Sequence, residues 1–140
     1  MTYIPEALRR QVIERASECC EYCLLPQAIS LYTHEVDHII AEKHRGETVL
    51  ENLCLACLEC NRAKGSDFGS FDPETGEITL LYNPRQQSWE KHFRLDGARI
   101  VPLSPEGRVT TFVLKLNDEI RVRARQGLLE AGKYPGKIQS

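Results

Sequence analysis

Two cysteine pairs constrain this chain more than any other feature: Cys20-Glu-Tyr-Cys23 and Cys57-Leu-Glu-Cys60, about 34 residues apart. A two-residue spacer lets a short loop turn both sulfurs toward one ion, and two such loops supply the four thiolates of a tetrahedral zinc site. Cys54-Leu-Ala-Cys57 offers a second register, and Cys19 lies beside Cys20, so spacing alone leaves the ligands open. We assign Cys20, Cys23, Cys57 and Cys60, because unrelated buried thiols have no reason to fall in matched pairs. Cys19 and Cys54 are then small buried hydrophobes. Four thiolates leave no coordination position free, so the expected zinc is structural.

Bulk properties fit such a site. A chain of 140 residues has the length of one domain with a modest core, to which a bound metal adds stability. Six cysteines, most of them in paired spacing, read more readily as metal ligands and buried thiols than as a disulfide framework. No stretch approaches the roughly 18 apolar residues that span a bilayer. The charged N-terminal stretch lacks the apolar core of a secretory signal, which points to a soluble, cytoplasmic protein. The net charge of −2 argues against a broad polyphosphate-binding face, so any contact with nucleic acid is expected to be local.

Pro5 followed by Leu8, Val12, Ile13 and Ala16 at helical spacing predicts an N-terminal helix within residues 1–18 that packs on the metal module. Leu31 to Ile40 reads as a strand, Glu42 to Thr48 as a polar loop turning at Gly46, and Val49 to Leu58 as strand or extended chain. A short helix, Leu58 to Lys64, follows and ends at Gly65. In residues 67–140 we expect a β-rich extension. It contains a turn at Asp72 to Glu77, a strand at Ile78 to Tyr82, a hairpin around Asp96-Gly97-Ala98, a strand at Thr110 to Leu116 and a final helix from Glu119 to Ala131. The class is α+β. Two-residue alternation sends Asp37 and His38 to opposite faces, so a shared site requires a twist, a bulge or a strand terminus there.

Asp37-His38-Ile39-Ile40, then Asn52-Leu53, then Cys57-Leu-Glu-Cys60-Asn61-Arg-Ala-Lys64-Gly65 resembles the HNH endonucleases, over about residues 10 to 66. The resemblance implies a ββα-metal core in residues 19–66, in which two strands and a helix surround a divalent cation. It also implies that Asp37 and Asn61 hold the catalytic ion, that His38 is the general base, and that Asn52 braces the loop and aligns the base. The family's third signature residue is often histidine. Asn61 in its place makes an oxygen-rich donor set suited to Mg2+ or Mn2+. Imidazole exchanges protons near neutral pH, as the base of phosphodiester hydrolysis must.

Lys43, Arg45, Arg62 and Lys64 are candidate phosphate contacts on the loop and the short helix, with His44 among them. His34 reads as a partly exposed strand residue without a role. Tyr82 to Phe93 resembles, more loosely, an extension in some small stand-alone bacterial HNH proteins. Trp89 and Phe93, four apart, are expected to anchor it to the core. Arg85 and His92 are open between solvated groups and substrate contacts. The leading expectation is a DNA endonuclease; the alternative is a non-catalytic zinc module that binds nucleic acid or protein.

Overall fold

The computed structural model describes residues 3–137. The ends of the expected first and last segments, residues 1–2 and 138–140, lie outside the described residues. Among the described residues the architecture is α+β, built around three separate two-stranded antiparallel sheets.

The first helix, α1 (Glu6–Arg15), starts after Pro5, whose fixed φ suits the approach to a helix. Its Val12, with Ala16 just beyond, packs on Leu53 and Leu55, while Ile13 turns outward. The first sheet pairs β1 (Glu35–His38) with β2 (Leu53–Ala56), in a register that sets Asp37 opposite Cys54 and His38 opposite Leu53. The expected strands at Leu31 to Ile40 and Val49 to Leu58 are thus trimmed to four residues each. Upstream of β1, Ser30 and Gln27 accept or donate local bonds to the backbone at Tyr32 and His34, which holds the chain out of the ladder. His34 is buried rather than partly exposed, with Nε2 2.7 Å from the Leu25 carbonyl.

The helix α2 (Leu58–Lys64) has the expected bounds and is followed by Gly65 at φ +52°. Next come the hairpins β3 (Gly69–Asp72) with β4 (Glu77–Leu80), and β5 (Phe93–Asp96) with β6 (Arg99–Pro102). The single-turn α3 (Trp89–His92) leads into β5. Trp89 and Phe93 are buried with ring centroids 5.2 Å apart, and the Trp89 indole donates to the Tyr22 carbonyl at 2.9 Å. The extension is therefore tied directly to the first cysteine loop.

One element departs from expectation in kind. Residues expected as a strand from Thr110 to Leu116 lie largely in a helix, α4 (Pro105–Val113). Ser104 caps it by accepting from the Gly107 amide at 3.0 Å, and Pro105 occupies the first turn, so a strong start signal outweighs the β-branched run. Thr110 suits the helix: its hydroxyl donates to the Glu106 carbonyl and accepts from the Tyr82 amide. The last helix, α5 (Glu119–Glu130), begins as expected after Asp118, but Ile120 is exposed and Arg125 is the buried residue.

Candidate metal centre and active site

The four sulfurs of Cys20, Cys23, Cys57 and Cys60 lie within 4.8 Å of one another, and all four residues are buried. Tetrahedral zinc–thiolate geometry requires sulfurs roughly 3.8 Å apart, and Cys23 and Cys57 stand at 3.6 Å. Local backbone structure prepares both pairs. In the first loop the Cys23 amide donates to the Cys20 sulfur at 3.4 Å, and Leu24, at φ +67°, closes the turn. In the second, Cys57 is the N-cap of α2 and its sulfur accepts from the Cys60 amide at 3.4 Å. A helix N-terminus favours a thiolate over a thiol, which suits the capping cysteine to hold a metal.

The remaining cysteines are placed elsewhere. Burial pushes the Cys54 thiol well up, and its sulfur bonds the Tyr22 hydroxyl at 3.6 Å. Burial likewise raises Cys19, whose thiol donates to the Ser17 carbonyl at 3.3 Å. Among the described residues, the four-cysteine cluster is the one group of three or more His, Cys, Asp or Glu side chains placed to hold a metal. The donor chemistry and spacing fit zinc.

About a strand's length away lies the second constellation. His38 is the last residue of β1, where the ladder ends, and no bulge interrupts the register. Asp37 and His38 therefore point to opposite sides of the sheet. Asp37 faces α2, with its Oδ2 3.3 Å from the Lys64 ammonium. His38 bonds the Thr48 hydroxyl through Nε2 at 2.9 Å.

The Asn52 side chain makes three hydrogen bonds. Its Oδ1 accepts from the Ile40 amide at 2.9 Å, and its Nδ2 donates to the carbonyls of Ile40 at 3.0 Å and Glu47 at 2.9 Å. One side chain thus closes the loop that carries Thr48 to His38. Gly46 is required for that closure: a Cβ there would run into the Ile40 carbonyl and stand 2.8 Å from the Asn52 amide. From α1, Arg15 holds the turn containing Asn52 by donating to the carbonyls of Leu50 at 2.9 Å and Leu53 at 2.6 Å.

Lys64 corrects the sequence reading. It does not project toward a phosphate track but is 2 % exposed, donating to the His38 carbonyl at 3.0 Å beside Asp37. Burial so complete requires a partner charge, and Asp37 supplies it. Burial raises the Asp37 pKa above the usual carboxylate value, and the neighbouring Lys64 opposes that rise. Lys43, Arg45 and Arg62 are exposed, as phosphate contacts would be. Asn61 is half-buried on α2, and no side-chain hydrogen bond joins it to Asp37 or His38 among the described residues. Arg85 is taken up by an ion pair with buried Glu21, which also accepts from the Leu55 amide, and His92 bonds the Ser104 hydroxyl.

A carboxylate oxygen and an amide oxygen, the groups that Asp37 and Asn61 carry, are the hard donor types that a divalent ion such as Mg2+ takes. Asp37 Oδ2 is buried beside the Lys64 ammonium at 3.3 Å, and Asn61 lies on the same helix as Lys64. Thr48 and Arg15 escaped the sequence reading as site residues, and Gly46 was read only as a turn former. Only Gly46 carried a local signal; the other two act across the fold.

Residues 20–67 match the family model described as HNH endonuclease. This stretch is similar to the HNH family and is called the HNH segment below. It begins at the first cage cysteine and ends just past α2, so it contains both the cysteine cluster and the Asp37–His38, Asn52 and Asn61 positions. No curated protein and no solved structure matched the chain. At the edge of this segment a cleft of about 1100 Å3 opens beside Leu50 and Glu51, with Arg15, Arg85 and Lys91 on its wall.

Proposed function

We propose that this chain is a metal-dependent endonuclease that hydrolyses DNA phosphodiester bonds, with His38 as general base and Asp37 and Asn61 as the ligands of one Mg2+ or Mn2+ ion. The observation that carries the reading is the loop closed by Asn52, which brings the Thr48 hydroxyl to 2.9 Å from His38 Nε2 within the HNH segment. When Nε2 donates to Thr48, Nδ1 keeps its lone pair and is the atom that takes a proton from the attacking water. The water oxygen bonds to phosphorus, the bond from phosphorus to the 3′ oxygen breaks, and the departing oxygen takes a proton from solvent. The products are a 5′-phosphate and a 3′-hydroxyl. An ion held by Asp37 and Asn61 would supply stabilisation of the negative charge that develops on the phosphate. Asn52 and Thr48 hold the imidazole; the Lys64 ammonium opposes the rise in the Asp37 pKa that burial causes. Exposed Lys43, Arg45 and Arg62 and the cleft beside Leu50 offer the substrate backbone local positive charge on a chain whose net charge is −2. A reducing, cytoplasmic setting suits six cysteines of which none is in a disulfide.

A second reading has its own support. Because Lys64 already answers the charge of Asp37, the segment also suits a zinc-stabilised module that binds nucleic acid without turnover. The test incubates the purified chain with supercoiled plasmid and Mg2+ or Mn2+, alongside His38→Ala. Relaxed or linear plasmid with the native chain, and loss of at least a hundredfold in rate with the variant, is the expected result. Equal cleavage by both ends the histidine-base mechanism. Saturable binding without cleavage by the native chain favours the second reading.

A further inference from the structure

The cysteine cluster has a fifth partner that lies outside the HNH segment. Arg121, in the first turn of α5, directs Nη2 at the Cys60 sulfur at 3.0 Å and reaches the Cys57 sulfur at 3.8 Å. Its Nη1 donates to the carbonyls of Leu114 at 2.7 Å and Lys115 at 3.2 Å. Those carbonyls close the chain between α4 and α5, where Lys115 adopts φ +53° and the flanking Leu114 and Leu116 are fully buried. One edge of the guanidinium is thus anchored to backbone, and the other is aimed at the sulfurs before any metal arrives.

Four thiolates around one Zn2+ carry a formal charge of −2, and burying such a charge without compensation is costly. Amides at Cys23 and Cys60 and the N-terminus of α2 provide partial positive charge. Among the described residues, Arg121 is the side-chain cation that donates to a cage sulfur.

Resting on the zinc reading of the cluster, we propose that Arg121 is a built-in counter-ion of the four-cysteine centre: it slows metal loss and fastens α5 to the second cysteine pair. The metal centre of the HNH segment is then completed from about 60 residues downstream of Cys60. Arg121 is a positioning residue, and it touches neither substrate nor the reacting atoms.

The test uses the full chain loaded with zinc, or with Co2+ as a spectroscopic stand-in, in native, Arg121→Gln, Arg121→Lys and Arg123→Gln forms. Arg123 is exposed on the same helix and controls for helix propensity. Transfer of zinc to an excess of a chromophoric chelator should be about ten- to a hundredfold faster for Arg121→Gln, the range for losing a hydrogen bond to a charged group. Arg121→Lys, which keeps the charge but loses the fork, should fall between, and Arg123→Gln should match the native chain. The thiolate-to-Co2+ charge-transfer band should shift in the Arg121 variants alone. If Arg121→Gln does not fold, the rate and band of Arg121→Lys decide. Native rate and band in both Arg121 variants overturn the counter-ion role while leaving the zinc reading intact. A native chain that purifies without zinc and takes up none overturns both.

Discussion

The two ends of the HNH segment hold their chemistry in opposite ways. At the cysteine end, four soft ligands are buried, mutually close and supplied by two short loops whose own amides point at the sulfurs. At the Asp37 end, neighbouring residues face opposite sides of a four-residue strand, and the groups around them are backbone carbonyls, one amide, one hydroxyl and a buried lysine. The first end is closed and specified locally. The second is half-open, and it is assembled by side chains from α1, the Gly46 loop and α2. A structural metal needs every coordination position filled, whereas a hydrolytic site needs room for water and a phosphate.

The contrast is broken most severely by removing the metal from the closed end. Binding of a structural zinc is worth about 10–16 kcal/mol in small zinc modules, comparable to or larger than the roughly 5–15 kcal/mol by which domains are stable. Cys60→Ala, or prolonged chelation, should therefore unfold the region from Cys19 to Gly65 and loosen the Trp89 contact to Tyr22. Circular dichroism and tryptophan fluorescence read the two effects together. Retention of both signals after verified metal loss would show that the closed end is not what holds the fold.

The open end is probed next through its buried charge pair. Lys64→Met removes the ammonium beside Asp37 and leaves a largely buried carboxylate alone, which should cost about 3–5 kcal/mol in urea unfolding. Adding Asp37→Asn should restore much of that loss, since a neutral amide needs no counter-charge. A double variant no more stable than Lys64→Met would mean that Lys64 acts through the His38 carbonyl rather than through Asp37.

The same contrast explains what the sequence could reveal. Cys57 and Cys60 were readable because ligand spacing, the helix cap and the Gly65 terminus all lie within nine residues. The turns at Gly76 and Gly97 were readable because positive φ demands glycine there. Lys64 was not, since a helical lysine is ordinarily solvated and its partner lies on a strand 26 residues earlier. Arg15 and Arg121 were hidden for the same reason, their acceptors lying 35 and 61 residues away. Thr110 to Leu116 misled because β-branched composition was weighed above the Ser104-Pro105 start signal just upstream. Interactions that close within one loop were legible, and those that close across the fold were not.

Asn52 tests whether the open end depends on a single clamp. Asn52→Ala deletes three hydrogen bonds and should cost about 2–3 kcal/mol. Zinc content should stay native, because none of those bonds reaches the cysteine cluster. Asn52→Asp keeps the acceptor for the Ile40 amide and loses both donors, so it should fall between Ala and native in stability. Loss of zinc from Asn52→Ala would show that the two ends are not separately held.

The smallest effect is the dependence of Asp37 on pH, and it sharpens the distinction between a closed and a half-open site. Burial raises the folded-state pKa of Asp37 above its unfolded value, so the folded chain binds the proton more tightly than the unfolded chain does. The stability contributed by protonation is fully present below the unfolded value and is lost as pH rises through the raised folded value. Relative to Asp37→Asn, which has no titrating carboxyl, the native chain should therefore gain stability as pH is lowered from 7 toward 4.5. Urea titrations at each pH, restricted to samples that retain one equivalent of zinc, measure the difference directly. Because Lys64 opposes the rise, the gain should be larger when the comparison is repeated on the Lys64→Met background. A difference that is flat with pH in both backgrounds would place the Asp37 carboxylate in water, leaving its pairing with Lys64 too weak to organise that end of the segment.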